Sequence, residues 1–270
     1  MKVKNNIWVA VLFCPLLLTS CTSRLNEPRE EPSENESPEE PRVAKLVSYY
    51  TFNQKNAKDS SGFGYDGISQ GAVTYESDTP DGDGYSAHLN AFMEPANINI
   101  PYNVFSGQLN YSIAFWIKDF SFGVIMNAIS SDGIRSDFPR IYATSSNCFR
   151  FVTCYDNWDQ TESFDYNNID LMDSGWHHIA FVAKSTDPYF LDIVARHLYV
   201  DGSRVASDAG KTQKYVNYHG WDEDIITKVQ VGGDRNGAYE YGISMFIDNI
   251  RFYTGALTDA EVKELFVNRL

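Results

Sequence analysis

Positive charge is scarce in this chain: 22 Lys and Arg stand against 36 Asp and Glu in 270 residues, a formal net charge of −14. A field of that sign repels a polyanionic phosphate backbone, so nucleic acid is excluded as a partner. Long apolar runs are missing as well. The run from Ile7 to Leu18 covers about 12 residues, short of the ~20 that a membrane-spanning helix needs. Cysteines number four. Cys14 lies inside that run and Cys21 just after it, which leaves Cys148 and Cys154 for the remainder of the chain. In one straight strand these two share a face roughly 20 Å apart, beyond disulfide reach. Two small buried thiols are expected, with a disulfide only if the strand breaks. Beyond Arg42 no low-complexity segment and no internal repeat interrupts the sequence, which suits one large domain over 43–270.

The N-terminus reads as an address followed by a tether. Lys2 and Lys4 form a basic n-region, Ile7–Leu18 an apolar core, and Leu18-Thr19-Ser20-Cys21 resembles the lipobox of diacylated bacterial lipoproteins. The resemblance implies a signal peptide over 1–20 and a membrane anchor through lipid on Cys21. A lone cysteine ending an apolar stretch is the alternative. From Asn26 to Arg42 the chain is mostly Glu, Pro, Ser, Asn and Arg, too poor in apolar side chains to offset the entropy of ordering. Residues 21–42 are therefore expected to form a disordered acidic linker, with Pro28, Pro32, Pro38 and Pro41 favouring extended segments. The acidic stretch is similar to surface-export signals of Bacteroidetes lipoproteins. That implies an outer-membrane protein displayed at the cell surface, with a spacer facing the periplasm as the alternative.

Strand patterns fill most of the chain from residue 43 onward. Ser112–Ile117, Trp176–Val182 and Met245–Tyr253 are short runs dense in β-branched and aromatic residues, each bounded by Gly, Asp, Asn or Ser. Leu198-Tyr199-Val200, Asp201-Gly202 and Ser203-Arg204-Val205 predict a hairpin, because Asp-Gly accepts the positive φ of a type I′ turn. Helix is expected at the C-terminus, where Thr258 and Glu261 make a capping box and Val262, Leu265 and Phe266 an apolar stripe. So short a helix is expected to cap one end of a sandwich.

Five stretches in order carry a family resemblance across Leu46 to Phe266. They are Val47–Phe52 with Asp59-Ser60-Ser61-Gly62, then Tyr111–Lys118, Gly175–Val182, Leu198–Val205 and Phe246–Leu265. Together they resemble bacterial laminin-G-like domains of the concanavalin A-like lectin/glucanase superfamily. The resemblance implies an all-β fold, a two-sheet antiparallel jelly-roll sandwich with a short C-terminal helix. It also implies a structural calcium ion where the Asp59 loop meets the final strand. On strand parity, Asp248 sides with Phe246, Ile250 and Phe252, so its carboxylate is expected to point with the core residues, where an unpaired charge is costly. Ca²⁺ held by Asp59, Asp248 and backbone carbonyls would remove that cost. Alternatively, Asp248 caps a loop through backbone N–H groups or pairs with an arginine.

Several patterns imitate active sites. Gly67-Ile68-Ser69-Gln70-Gly71 matches a nucleophile elbow, but that device needs a strand before and a helix after, and Ala72–Tyr75 reads as strand. His177 and His178 are adjacent, so in a strand they point to opposite faces. One is expected inside and the other in solvent. Asp78, Asp81 and Asp83 lack the Glu of an EF-hand, leaving a surface turn. Retaining glucanases of the laminarinase type carry Glu-x-Asp-x-x-Glu on one strand, with carboxyl groups about 5.5 Å apart, and no stretch here matches it. A non-catalytic protein is expected.

Binding is better represented. Trp158, then Tyr218, His219, Trp221 and Asp222, then Arg235 and Tyr239 lie in turn-rich stretches that interleave aromatics with Asp, Asn and His. Sugars offer C–H faces that stack on rings and hydroxyls that seek polar partners, so these seven are the candidate residues for a polysaccharide or oligosaccharide. The alternatives are aromatics that merely roof long loops, an adhesive module contacting other envelope proteins, and a diverged glycoside hydrolase.

Overall fold

The computed structural model describes residues 43–91, 95–100, 110–130, 136–145, 148–155, 161–167, 171, 174–186, 193–211, 226–233 and 242–269. In chain order the strands are β1 (Lys45–Tyr50), β2 (Ile68–Gly71), β3 (Val73–Glu76), β4 (Ser86–Asn90), β5 (Ala96–Ile100), β6 (Tyr111–Lys118), β7 (Gly123–Ser130) and β8 (Ser136–Ser145), continued by β9 (Cys148–Tyr155), β10 (Thr161–Asn167), β11 (His177–Ser185), β12 (Ile193–Val200), β13 (Ser203–Lys211), β14 (Ile226–Val231) and β15 (Ser244–Thr254), and then by helix α1 (Asp259–Val267). One sheet runs β13-β12-β11-β6-β15-β4-β3, with β1 also paired to β15, and the other runs β10-β9-β8-β7-β14-β5-β2. Antiparallel pairing joins the neighbours, so the two-sheet sandwich expected from the sequence is the observed fold.

The strands are held by what they bury between the sheets. Ile113, Phe115 and Ile117 of β6 and Ile179 and Phe181 of β11 face Phe149 and Phe151 of β9 in one continuous core. Phe181 lies 4.9 Å from Phe151 and 6.2 Å edge-on from Phe149, ring centre to ring centre, geometries that add to the area buried. Cys148 opens β9 as a buried free thiol.

On β6 every residue from Tyr111 to Ile117 is buried, which one covered face does not explain. The second cover is α1. Leu257, Val262 and Leu265 pack on Ala114, Ala180, Val182 and Tyr199, the side chains that point away from the core. The helix therefore lies on the outer face of the sheet instead of capping an end, and the small Ala114 and Ala180 side chains leave room for it. Its capping box is as the sequence predicts: Thr258 Oγ1 accepts from the Glu261 N–H, and Glu261 Oε2 accepts from the Thr258 N–H at 2.7 Å. The predicted type I′ turn is present too, with φ of 49° at Asp201 and 71° at Gly202. Glycine is doubly required there, since a Cβ on Gly202 would stand 2.9 Å from Phe266 Cβ of the helix.

β15 carries a bulge. Its register against β6 jumps from Asp248↔Trp116 to Arg251↔Ala114, so Asn249 and Ile250 oppose one residue. Asn249 takes a φ of 51°, a conformation that asparagine tolerates better than most residues. At this point the other edge of β15 changes neighbour, from β4 to β1.

Candidate functional site

The bulge overturns the parity expected for Asp248. Met245 and Ile247 face the core before it, and Ile250 and Phe252 after it, because the extra residue switches the alternation. Phe246 and Asp248 therefore belong to the outer face. Phe246 is half-buried and stacks on His88 at 4.2 Å. Asp248 joins a transverse row with Trp116 and His178, register partners on β15, β6 and β11. Phe266 of α1 lies over this row, 5.8 Å from the Trp116 ring and 6.3 Å from that of His178.

The row is buried and its electrostatics follow from that. Asp248 is 3% exposed and accepts the Asn249 N–H at 2.7 Å. Burial pushes its carboxyl up to about 8, with Asp81 adding to the effect while that N–H and the Arg251 guanidinium oppose it. His178 is held neutral, pushed down to about 4 by burial and by Arg251. Arg251 sits 3.8 Å over the Tyr49 ring, and the Tyr49 hydroxyl donates to Asn249 Oδ1. Trp116 Nε1 and His178 Nδ1 are buried without a hydrogen-bond partner among the described residues. Contrary to the expectation that one of the paired histidines faces solvent, His177 is buried too, its Nδ1 2.9 Å from Asp201 Oδ2. Asp201 Oδ1 accepts the His178 N–H, so the hairpin turn fixes both histidines in place.

Asp59 has a different task. Its Oδ1 accepts the N–H groups of Tyr49 and Ser61 at 3.0 and 2.9 Å. Its Oδ2 accepts the Ser61 hydroxyl and the Tyr65 N–H at 2.8 and 3.1 Å. Burial works to raise its pKa, but these four donors outweigh it and hold the carboxyl below the usual range. With both oxygens engaged by donors, Asp59 is a loop-organising carboxylate. Asp248 is anchored to its own bulge, and among the described residues no three His, Cys, Asp or Glu side chains gather where they could hold a metal. The four donors on Asp59 leave it no free oxygen to share with Asp248 around a calcium ion. Melting followed by calorimetry should accordingly be unchanged by a chelator, and a clear downward shift would restore the metal reading.

The loop that Asp59 organises borders an open cavity of about 350 Å³, lined among others by Gln54, Asn56, Lys58, Asp59, Ser60 and Asp66, of which Gln54, Lys58, Ser60 and Asp66 are exposed. Phe52 anchors it, 2% exposed in the core at a φ of 55°, a conformation rare for an aromatic residue and kept only where the surroundings fix it. The Asn53 side chain accepts the Tyr85 N–H and so ties this loop to the turn at 78–84. Gly84 makes the approach possible, since a Cβ there would fall 1.8 Å from Asn53 Oδ1. The turn itself is as the sequence predicts: Asp81 Oδ1 accepts the Thr79 hydroxyl and the Asp83 N–H. Asp78 binds Lys118 and accepts from Trp176 Nε1.

Other sequence candidates fall elsewhere. Ser69 of the elbow-like pentapeptide lies on β2, its hydroxyl 2.5 Å from Tyr75 Oη, and the strand β3 comes after it where an elbow needs a helix. Cys21 and the seven loop residues Trp158, Tyr218, His219, Trp221, Asp222, Arg235 and Tyr239 lie outside the described residues. The cavity at 51–66 was not anticipated from the sequence. Its one signal is the density of Asn, Gln, Lys and Asp between Phe52 and Gly67.

Comparison with known proteins agrees with this architecture. The receptor-binding domain of botulinum neurotoxin type G superposes with a TM-score of 0.59 at 16% identity, over 83% of this chain and 51% of that one. The binding domain of botulinum neurotoxin DC, solved in complex with SialylT, gives 0.59 at 15% over the same shares. Domain 4 of AbnA, a GH43 extracellular arabinanase from Geobacillus stearothermophilus, solved with arabinotriose, gives 0.53 at 19% over 82% of this chain and 98% of that one. The chain thus spans about half the length of the toxin domains and nearly all of the arabinanase domain. No curated protein matches by sequence. A laminin G family model does match, over residues 93–263, and with that span of the sandwich accounted for, the chain belongs to the concanavalin A-like lectin/glucanases superfamily.

Proposed function

We propose that this protein is a non-catalytic glycan-binding module of the cell envelope, tethered through lipid on Cys21 in the outer membrane and displayed at the cell surface. The observation that carries the reading is the likeness to AbnA domain 4: a domain matched over almost its whole length was solved with arabinotriose bound. The toxin domain solved in complex with SialylT adds a second ligand-bound domain of similar fold. Trp158, Tyr218 and Trp221 would supply rings for sugar faces, and His219, Asp222, Arg235 and Tyr239 the polar partners for hydroxyls.

The test is a glycan array probed with the chain carrying Cys21→Ser, alongside Trp158→Ala and Trp221→Ala variants. Reproducible binding to at least one glycan, reduced in the variants, is expected. Silence across a broad array would overturn the reading and turn attention to protein partners in envelope extracts. Release of reducing ends from a bound glycan would refute the non-catalytic assignment.

A further inference from the structure

We infer that the cavity of the β1–β2 loop is a saccharide subsite in its own right, taking one or two units of a neutral sugar. The inference rests on the glycan-binding reading and adds a location that the loop aromatics do not supply. At about 350 Å³ the cavity lies near the small end of the ~300–1,000 Å³ typical of ligand sites. That volume suits a sugar unit or a disaccharide and is too small to seat a folded partner.

Its chemistry narrows the ligand. The Lys58 ammonium and the Gln54 side-chain amide have no partner among the described residues, and Asp66 spends only Oδ1, on the Asp59 N–H. One cation, one amide and one free carboxylate oxygen around a single concavity offer donors and acceptors together, which is what adjacent hydroxyls require. A phosphate or a uronate would meet the carboxylates of Asp59 and Asp66 as well as Lys58. A cation would find Asp59 already saturated by four donors. A neutral polyol has neither conflict.

The loop is also held in shape before any ligand arrives. The Ser60 N–H donates to Tyr49 O at 2.7 Å and the Gly67 N–H to Ala57 O at 2.8 Å. The Lys58 N–H donates to Asn56 Oδ1, and Phe52 and Ala57 are sunk in the core. A preorganised site loses little freedom on binding, which matters most for a small hydrophilic ligand.

The experiment is a titration of the ¹⁵N-labelled Cys21→Ser chain followed by amide chemical shifts. The probes are methyl glycosides of glucose, galactose, mannose and arabinose, with glucuronate, inorganic phosphate and calcium chloride as separate arms. At least one neutral glycoside is expected to shift amides of residues 53–66 saturably at millimolar concentration. Lys58→Ala and Gln54→Ala, which break none of the loop's own hydrogen bonds, should each weaken that response severalfold without lowering the melting temperature. Trp158→Ala and Trp221→Ala should leave it intact. Saccharide shifts located elsewhere and indifferent to Lys58→Ala and Gln54→Ala would overturn the subsite and leave the lectin reading standing. A loop that answers to phosphate, glucuronate or calcium instead would overturn the ligand class. No response to any glycoside, together with a silent array, would overturn both proposals.

Discussion

Replacing Asp248 with asparagine is expected to invert the pH dependence of stability between pH 4 and pH 8. The carboxyl has an ordinary value of 3.8 and is raised to about 8 in the folded protein. The folded state therefore keeps a proton that the unfolded state has lost, and stability falls as pH rises across that interval, by about 6 kcal/mol in all. His178 has the opposite sign. Its ordinary value of 6.5 drops to about 4 in the folded protein, so the unfolded state binds the extra proton and stability is lost as pH falls from 6.5 toward 4, by about 3 kcal/mol. From pH 4 to 6.5 the two slopes offset one another. From 6.5 to 8 only the Asp248 slope remains, which leaves a plateau and then a decline of about 2 kcal/mol. Asp248→Asn removes one of the two slopes. Its stability should rise from pH 4 to 6.5 and then hold level, so that the variant exceeds the parent most above pH 8. Denaturant unfolding at a series of pH values reads this directly. A variant that keeps the parent's decline above 6.5 would show that another group causes it. Arg251, Asp81, Tyr49 and Asp201 surround the row, and each stays unchanged in the comparison.

The same row shows where a sequence stops being informative. The type I′ turn at Asp201-Gly202 and the Thr258–Glu261 capping box were legible because each is decided by residues within four positions of one another. Strand identity along β6, β11 and β15 was legible because β-branched and aromatic residues crowd into short runs bounded by Gly, Asp, Asn or Ser. The bulge at Asn249 leaves no comparable trace: one residue in a left-handed conformation switches the alternation, and a parity argument carried across it assigns Asp248 to the wrong face. The seat of α1 depended on alanines at 114 and 180 lying side by side on adjacent strands, a pairing fixed only by long-range register. The cavity at 51–66 was hidden for a different reason. Its lining residues are those that any exposed turn uses, and hydrogen bonds within the loop, the four on Asp59 foremost, turn them into a shaped site.

That dependence makes Asp59 the residue whose loss the loop should feel most. Asp59→Ala leaves the N–H groups of Tyr49, Ser61 and Tyr65 and the Ser61 hydroxyl without their common acceptor. Hydrogen bonds to a charged group contribute more than neutral ones, but water reaches part of this loop and refills some of them, so a net loss of roughly 2–3 kcal/mol is expected. Asp59→Asn should fall between the two. It keeps an oxygen for Tyr49 and Ser61 yet sets an amide NH₂ against the Tyr65 N–H, two donors facing each other. The damage should be local at first, because Phe52 and Ala57 still anchor the ends of the loop in the core. Hydrogen exchange at Ser61 and Tyr65 should accelerate well before that of the β6 and β11 amides. Because the Asp59 carboxyl is held below its ordinary 3.8, its contribution is present at neutral pH and disappears as pH falls below that value. The parent and Asp59→Ala curves should therefore converge in acid. A cavity that still answered to sugar in Asp59→Ala, with unaltered exchange at Ser61 and Tyr65, would mean that the carboxylate decorates the loop and does not build it.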